Sequence, residues 1–514
     1  QLVANAPDAS VLLRQFGFPV LPLRGLGAAR VEAVGEGAWG GALSTRARVE
    51  LPGASMTFNG ETTASADRPA MRGRIMLDSA DAAPLMQLFG LGAPDPTQRA
   101  PAKATATVAM DREGLSLDGL TSEAFGAKAT GGLRRGADAI WRGELAIDRL
   151  SAPFLASFVL GPAQPALAGA LWSTLKFAPQ RVDPPAADLK LAIGRFDLGV
   201  STSAGAHLEL TLGQGLVEAR KIDMPLLGGR LTGEASLRRE GGAATARARL
   251  AVRSLDATAG PFAAKVDGAC EISGAGGSAA ELVASLAGSG NARLQDWSIA
   301  RAAPDAFSDA VARLAMDDAT TAREAVVSEL ASALDSGAQR PAPVDVDFTL
   351  AAGRLTIAPV EFEAARARGR MSGVFDLRTG QVEVRENLRA LAPADWSGAP
   401  PQIDLSWSGP WSQPARALSA EALIAALTER AIERESERNA ALEADIRERA
   451  FFNRRLKSDR RLDAAERADR SRGVFRRHQD LPRYLRPADP PLWRSHRPVD
   501  RRRIARLFWR AASP

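Results

Sequence analysis

Apolar and polar residues alternate with a period of two over much of this chain, and few folds can accommodate that pattern. Leu189, Leu191 and Ile193 alternate with Asp188, Lys190 and Ala192, and Leu208, Leu210 and Leu212 repeat the pattern. Val344, Val346, Phe348 and Leu350 stand between Asp345, Asp347 and Thr349, and Ile403, Leu405 and Trp407 follow the same rule. Successive side chains of a strand point to opposite faces, so each segment reads as a strand with one apolar and one wet face. That arrangement belongs to antiparallel sheet; buried parallel strands are apolar on both faces. Asp118-Gly119, Gly228-Gly229, Gly241-Gly242 and Thr379-Gly380 supply the turn signals between such strands. The body therefore reads as a long series of antiparallel hairpins. Strand twist accumulates in a sheet of that length and curls it. If the apolar face curls inward without closing, the product is a trough lined by aliphatic side chains.

A second signal is repetition. Asp8 to Phe18 (D-A-S-V-L-L-R-Q-F-G-F), Asp81 to Leu91 (D-A-A-P-L-M-Q-L-F-G-L) and, less closely, Ser151 to Phe158 (S-A-P-F-L-A-S-F) recur about 70 residues apart. Their apolar spacing fits one face of a short helix, ended by Gly17 and Gly90 in the first two copies. Upstream of the second and third copies, Arg72 to Asp78 matches Arg142 to Asp148, both strand-like. Such periodicity marks stacked units that share one continuous core. Short helices are expected near 8–17, 81–90, 151–160 and 304–314.

Composition argues against enzyme chemistry. The 514 residues include three histidines (His207, His478, His496), one cysteine (Cys270) and one tyrosine. His207 with Glu209, or Asp345 with Asp347, share strand faces, but neither pair has a third ligand at recognisable spacing. Solvated outer faces explain both. The glycines at 274–277 and 288–290 lack a P-loop lysine and a full dinucleotide fingerprint, and read as turns. No G-x-S-x-G elbow occurs, and Cys270 reads as a small buried hydrophobe. Neither a catalytic residue, a metal site nor a cofactor is expected.

The stretch Leu286-Ala287-Gly288-Ser289-Gly290-Asn291-Ala292-Arg293-Leu294-Gln295-Asp296-Trp297 resembles the L-x-G-x-G-x-x-x-L-x-D-G signature of the AsmA family of bacterial envelope proteins, related to TamB. Trp297 stands where the family has a further glycine. The repeated helix motif and Trp407-Ser408-Gly409-Pro410-Trp411, followed by Pro414-Ala415-Arg416, are also similar to that family. The resemblance covers roughly residues 1–450. It implies a periplasmic body, anchored to the inner membrane by a segment preceding Gln1, with a role in outer-membrane biogenesis. Family members are thought to conduct phospholipids along an open hydrophobic β groove. Here the groove candidates are Leu189, Leu191, Ile193, Leu208, Leu210, Leu212, Val344, Val346, Phe348, Leu350, Ile403 and Leu405. Two alternatives stay open: these residues are packed core, or the body is a scaffold for outer-membrane protein maturation.

The expected fold is mainly β: an elongated, curved antiparallel sheet forming an open groove, with short helices, a C-terminal helix and a basic tail. The divisions are 1–162 (repeated helix-plus-strand units), 163–413 (the family-like β region), 414–453 (an amphipathic, charged helix) and 454–514 (a basic, disordered tail). Ser419 reads as the helix cap, and Ala420, Leu423, Ile424, Leu427 and Ala431 form an apolar stripe expected to shield the sheet edge. The stripes Glu429/Glu433/Glu437 and Arg430/Arg434/Arg438 read as a solvated face. From Phe451 onward there are 19 Lys+Arg against 7 Asp+Glu, a net of +12, so the first 450 residues carry −6. Arg501, Arg502 and Arg503 with Trp493 and Trp509 suit an anionic lipid surface, at about 1 kcal/mol per basic residue near it. Non-specific phosphate binding is the competing reading of the tail, and no specific nucleic acid is expected. Phospholipid, a membrane surface and outer-membrane assembly proteins are thus the expected partners.

Overall fold

The computed structural model describes residues 1–11, 27–38, 41–63, 70–82, 101–124, 126–178, 185–316, 322–364, 366–392, 396 and 398–475. Within them, 24 strands form one open sheet. Consecutive strands pair antiparallel almost throughout, so the sheet grows in chain order from Leu2–Ala6 at one edge to Ala415–Ser419 at the other. Both edge strands are five residues long. Short edges present few unpaired backbone groups to a neighbour, which limits edge-to-edge association. The one parallel join lies between Trp141–Ser151 and Ala187–Asp197, in register from Trp141↔Ala187 to Ser151↔Asp197. A parallel pair requires a crossover. Here the crossover contains helix α1 (Ala152–Leu160) and an extended strap running back from it.

The 70-residue period is a unit of four strands. Ala29–Gly37, Ala42–Leu51, Ala54–Thr63 and Ala70–Ser79 form the first set, and Ala102–Asp111, Gly114–Ala124, Ala127–Gly136 and Trp141–Ser151 the second. The helix motif follows each set. Its leading polar residue is a cap: Asp8 Oδ1 accepts from the Ser10 amide at 2.8 Å, and Ser151 Oγ accepts from the Phe154 amide at 3.2 Å. The expected helix at 151–160 is α1, closed by Gly161 at φ 78°. The helix expected at 81–90 and most of that at 8–17 lie outside the described residues.

After α1, helix α2 (Ala279–Ala284) sits in a turn of the sheet, and α3 (Pro304–Met316) and α4 (Arg323–Asp335) follow Ala287–Ala300. Helix α5 spans Glu421–Phe475 and so continues beyond 453, the boundary expected from sequence, into part of the region expected to be disordered. No proline interrupts it, and pairs four apart continue along it (Arg447–Glu443, Arg449–Asp445, Arg470–Glu466). Ser419 is not its cap: that residue ends a strand, and Ala420 precedes the helix, its carbonyl accepting from the Ile424 amide. Residues Gln1–Ile432 form one compact unit, and Glu433 onward a second.

Asp118-Gly119 is not a turn. It is a β-bulge inside Gly114–Ala124, where the register shifts between Leu117 and Leu120 and Gly119 adopts φ 60°. Four further long strands contain the same device, and in each the phase of alternation slips. Val217 and Ala219 give way to Ile222 and Met224, Leu250 and Val252 to Leu255, Leu294 to Trp297 and Ile299, and Leu355 and Ile357 to Val360 and Phe362. Lys221, Ser254 and Asp296 take φ between 46° and 51° at these points. The Asp296-Trp297 deviation from the family signature therefore makes a bulge within a continuous strand. Trp297 is buried, its ring edge-on to Phe362 at 4.9 Å, and its Nε1 donates to the Ala342 carbonyl at 2.8 Å. A bulge bends its strand and increases twist, so five of them curl the sheet.

Phenylalanine rings lie on glycines of the adjoining strand. An added Cβ at Gly369 would lie 2.0 Å from Phe362 Cζ, and one at Gly290 would lie 2.4 Å from Phe348 Cζ. The absent side chain is what admits the ring. We predict that Gly369→Ala lowers stability by about 1–3 kcal/mol through overpacking. Denaturant midpoints should show Phe362→Leu recovering part of that loss in the double variant. Additive effects would mean that the ring and the glycine are not coupled.

Candidate functional site

Cross-strand partners share a face, so the register shows how far the apolar face extends. One row runs Gly73, Val108, Leu117, Leu133, Gly143 and Leu189, then Leu210, Ala219, Ala235, Ala248 and Ile272. It continues through Gly288, Leu350, Leu355, Phe375 and Val382. Every member is apolar or glycine. The opposite face is laced with ion pairs, among them Glu144–Lys190 at 2.9 Å, Glu209–Lys221 at 2.7 Å and Arg249 between Glu234 and Glu271. These pairs are largely exposed and add little stability. Glu209 is therefore occupied as an ion-pair partner, and Asp345 is held by Arg293 at 3.1 Å. Among the described residues, no cluster of three potential metal ligands occurs.

What covers the apolar face changes along the sheet. On Ala42–Leu51 the inward residues Leu43, Ala47, Val49 and Leu51 are only half-buried. In the middle, α1 lies over the sheet, placing Leu155 and Val159 in a core with Leu191, Ile193, Phe196, Leu208, Leu210 and Met224. Beside this core a concavity of about 410 Å³ opens, lined by α1 (Ala152, Leu155, Ala156) and by five successive strands from Leu208 to Ile272. Ser236 and Arg247 are the polar residues in its lining, and both alternate with apolar-face residues, so their side chains point away. Its volume lies within the range of small-molecule sites, but its walls offer no convergent polar group. The arrangement suits a flexible hydrocarbon.

Helix α1 is fastened by a single buried cation. Arg239 Nη1 donates to the carbonyls of Val159 at 3.2 Å and Ala178 at 2.6 Å, and Nη2 to Phe177 at 3.2 Å. The guanidinium thus sits at the carbonyl end of α1, where a positive charge is favoured. The strap beyond α1 is anchored by Trp172 Nε1 donating to the Leu377 carbonyl at 2.7 Å, and by Lys176 with Glu281.

Over the last third of the sheet the face is filled. Phe307, Val311 and Leu314 of α3, Val326, Leu330 and Leu334 of α4, and Leu423 and Leu427 of α5 pack with Val384, Leu388, Ile403, Leu405 and Trp407. The stripe at the start of α5 thus covers the sheet's face, not its edge as expected: Ala420, Leu423 and Leu427 have sheet side chains to pack against, whereas the edge offers only five residues of backbone. Arg430 also departs from the expected solvated face, being buried with its guanidinium 5.2 Å from the Trp396 ring centre.

The twelve groove candidates all lie on the apolar face, but in different surroundings. Leu208 lines the concavity. Leu191, Ile193 and Leu210 are buried beneath or beside α1, and Leu189 and Leu212 are half-buried. Val346 and Leu350 are buried, and Val344 and Phe348 half-buried. Ile403 and Leu405 are core under the helices. Trp493, Arg501, Arg502, Arg503 and Trp509 lie outside the described residues. Cys270 is half-buried, and burial raises its thiol pKa. Ala219, Ala235, Ala246 and Ala248, which also line the concavity, give only a weak alternation signal because they are small.

Glu386 was also missed. It occupies an inward position between Val384 and Leu388, opposite Leu405, and is fully buried with both carboxylate oxygens lacking a hydrogen-bond donor. Burial pushes its carboxyl up to about 7, with the nearby Gln339 carboxamide opposing the shift without a hydrogen bond of normal geometry.

No protein-family model matches this chain, and no curated protein matches it. Among the described residues no helix is long and apolar enough to cross a membrane. The Glu386 carboxyl makes a pH prediction. Its folded pKa lies above its unfolded one, so the folded chain holds the proton longer. Stability should fall as pH rises from 4.5 to about 7, by about 3 kcal/mol in total. Glu386→Gln should remove this component of the pH dependence, as read by denaturant unfolding between pH 4 and 8. Identical profiles for the two proteins would show that the carboxyl does not titrate in that window.

Proposed function

We propose that the apolar face of the sheet carries the acyl chains of phospholipids, moving them between the inner and outer membranes of a bacterial envelope. The observation that supports this most directly is the unbroken apolar row across the sheet, opening into a concavity with apolar walls beside α1. An acyl chain of about 16 carbons gains about 0.8 kcal/mol per buried methylene, so its exposure to water costs on the order of 12 kcal/mol. A continuous dry face lowers that barrier, and the absence of polar groups from the walls leaves no position that would trap the headgroup. Function of this kind needs no catalytic residue and no cofactor. The periplasmic setting, an inner-membrane anchor and outer-membrane assembly partners rest on the family resemblance, and the attraction of the basic tail to a lipid surface rests on its charge.

A second reading has its own observation in favour. The last third of the face is filled by α3, α4 and the start of α5, as a scaffold for outer-membrane protein maturation would be. The filled third limits the carrier surface to the strands before Ala287–Ala300, with α1 at its centre.

Mass spectrometry of lipid purified with the protein distinguishes these readings. The wild type should carry stoichiometric phospholipid. Ala235→Phe with Ala248→Phe, which fills the concavity without adding polarity, should remain folded by circular dichroism and lose most of it. Lipid-free wild-type protein would defeat the carrier reading and leave the scaffold.

A further inference from the structure

Glu386 lies within the filled third of the sheet. Its strand, Gln381–Ala390, is paired with Ala367–Asp376 on one side and Gln402–Pro410 on the other, and α3 packs on its inward face. Both carboxylate oxygens lack a hydrogen-bond partner, and so do both polar atoms of the neighbouring, fully buried Gln339. A carboxyl so placed is tolerated as the neutral acid, whereas the carboxylate demands water. With a strand on either side, that water has to come from beneath the helices.

The helices above it are attached to the sheet at one place. The chain leaves the sheet at Arg301, where φ is 59°, runs through α3 and α4, and returns at Gly337. A two-residue ladder, Ile299↔Gln339 and Ala300↔Ala338, joins exit to return, and the Ala302 amide donates to the Gly337 carbonyl at 3.2 Å. Gln339 is thus both a rung of this hinge and the neighbour of Glu386. Away from the hinge, the polar ties among the described residues are peripheral. Asp309 pairs with Arg366, Arg323 with Glu421, and Asp335 with Arg416 at 2.7 Å. The rest of the hold is apolar packing, which is non-directional and can be broken and remade.

Other charged groups on the surrounding elements face away from Glu386. On α3 and α4, Asp305, Asp309, Arg313, Arg323, Glu324 and Asp335 are exposed, and Glu329 pairs with Arg313 at 2.6 Å. At the start of α5, Glu421 and Glu429 are exposed, and Arg430 lies 5.2 Å from the Trp396 ring centre. Arg368, Arg370, Glu383, Arg385, Arg389 and Asp404 occupy the outer phase of their strands. Desolvation therefore governs the carboxyl, pushing it from 4.5 to about 7.

We propose that α3 and α4 form a lid over the last third of the apolar face, hinged at Ala300 and Ala338, and that ionisation of Glu386 beneath it favours the open position. In the open position the carboxyl is hydrated and regains its ordinary value. The closed position is fully favoured below that value and loses its advantage as pH rises through about 7. The Arg301 guanidinium holds the Asp335 carboxyl below its ordinary value, so that tie persists across this window. The inference does not depend on lipid carriage by the sheet.

Hydrogen exchange of the full chain, read by mass spectrometry and corrected for the intrinsic pH dependence of amide exchange, tests this. From pH 5 to pH 8 the amides of α3 and α4 should exchange faster by on the order of 70-fold, while those of α1 and of Leu216–Leu226 keep their rates. Glu386→Gln should abolish the rise. An unchanged rate in the wild type would overturn the lid. So would an equal rise over the whole sheet, which would mean global unfolding. A rise that persists in Glu386→Gln would assign the opening to another group and overturn the role of Glu386.

Discussion

Register is the constraint on which everything else in this sheet depends. Side chains alternate across a strand with a period of two, so a slip of one residue between any two strands would turn every later side chain to the wrong face. The apolar row from Gly73 to Val382 exists only because sixteen consecutive strands avoid that error. The bulges show how the condition is met in long, bent strands. Each inserts one residue and is matched by a slip in the sequence pattern, as from Leu294 to Trp297, so the apolar face continues unbroken across the bend. Curvature and continuity, two requirements that compete in a regular sheet, are thereby reconciled.

The face so produced is used in two ways. Over α3, α4 and the beginning of α5 it behaves as ordinary core, with Phe307, Leu330, Leu423 and Trp407 removed from water. Around α1 it is only partly closed, and the aliphatic surface remains reachable through the concavity. The difference lies in the covering helices. Helices α3 and α4 contribute a row of large residues, while α1 is nine residues long and buries only Leu155 and Val159. Arg239 holds this short helix by its carbonyl end. A buried guanidinium is costly unless its donors are satisfied, and four backbone carbonyls, those of Val159, Phe177, Ala178 and Gly241, satisfy it here.

The architecture was largely legible in the sequence because alternation is a local property. Leu189 to Ile193 and Val344 to Leu350 announce their strands without help from the rest of the chain, and the recurring D-A-x-x-L-L motif marks where four-strand units end. Asp118-Gly119 misled for an equally local reason: a pair that makes a turn between strands also makes a bulge within one, and only the partner strand decides between them. The filled and open parts of the face could not be separated, since Leu208 and Leu405 sit in identical patterns and differ only in the helix above them. Glu386 was in plain view as an acidic residue in an apolar phase, and the phase slips at 217–224 and 355–362 were readable in the same way. Arg239 gave no signal, because the carbonyls that tie it to α1 and the strap are 60 and more residues away.

The nearly unbroken chain-order pairing has a consequence for how the molecule comes into being. A sheet in which each strand joins its immediate successor has few distant contacts, so little loop-closure entropy opposes its growth. As the chain emerges during synthesis, every new strand finds its template already present at the growing edge. The exception is the parallel join, where Ala187–Asp197 must wait until the crossover through α1 has folded back along the sheet. Assembly should therefore proceed as two rapid meanders separated by one pause, and the segment that causes the pause is the one that roofs the concavity.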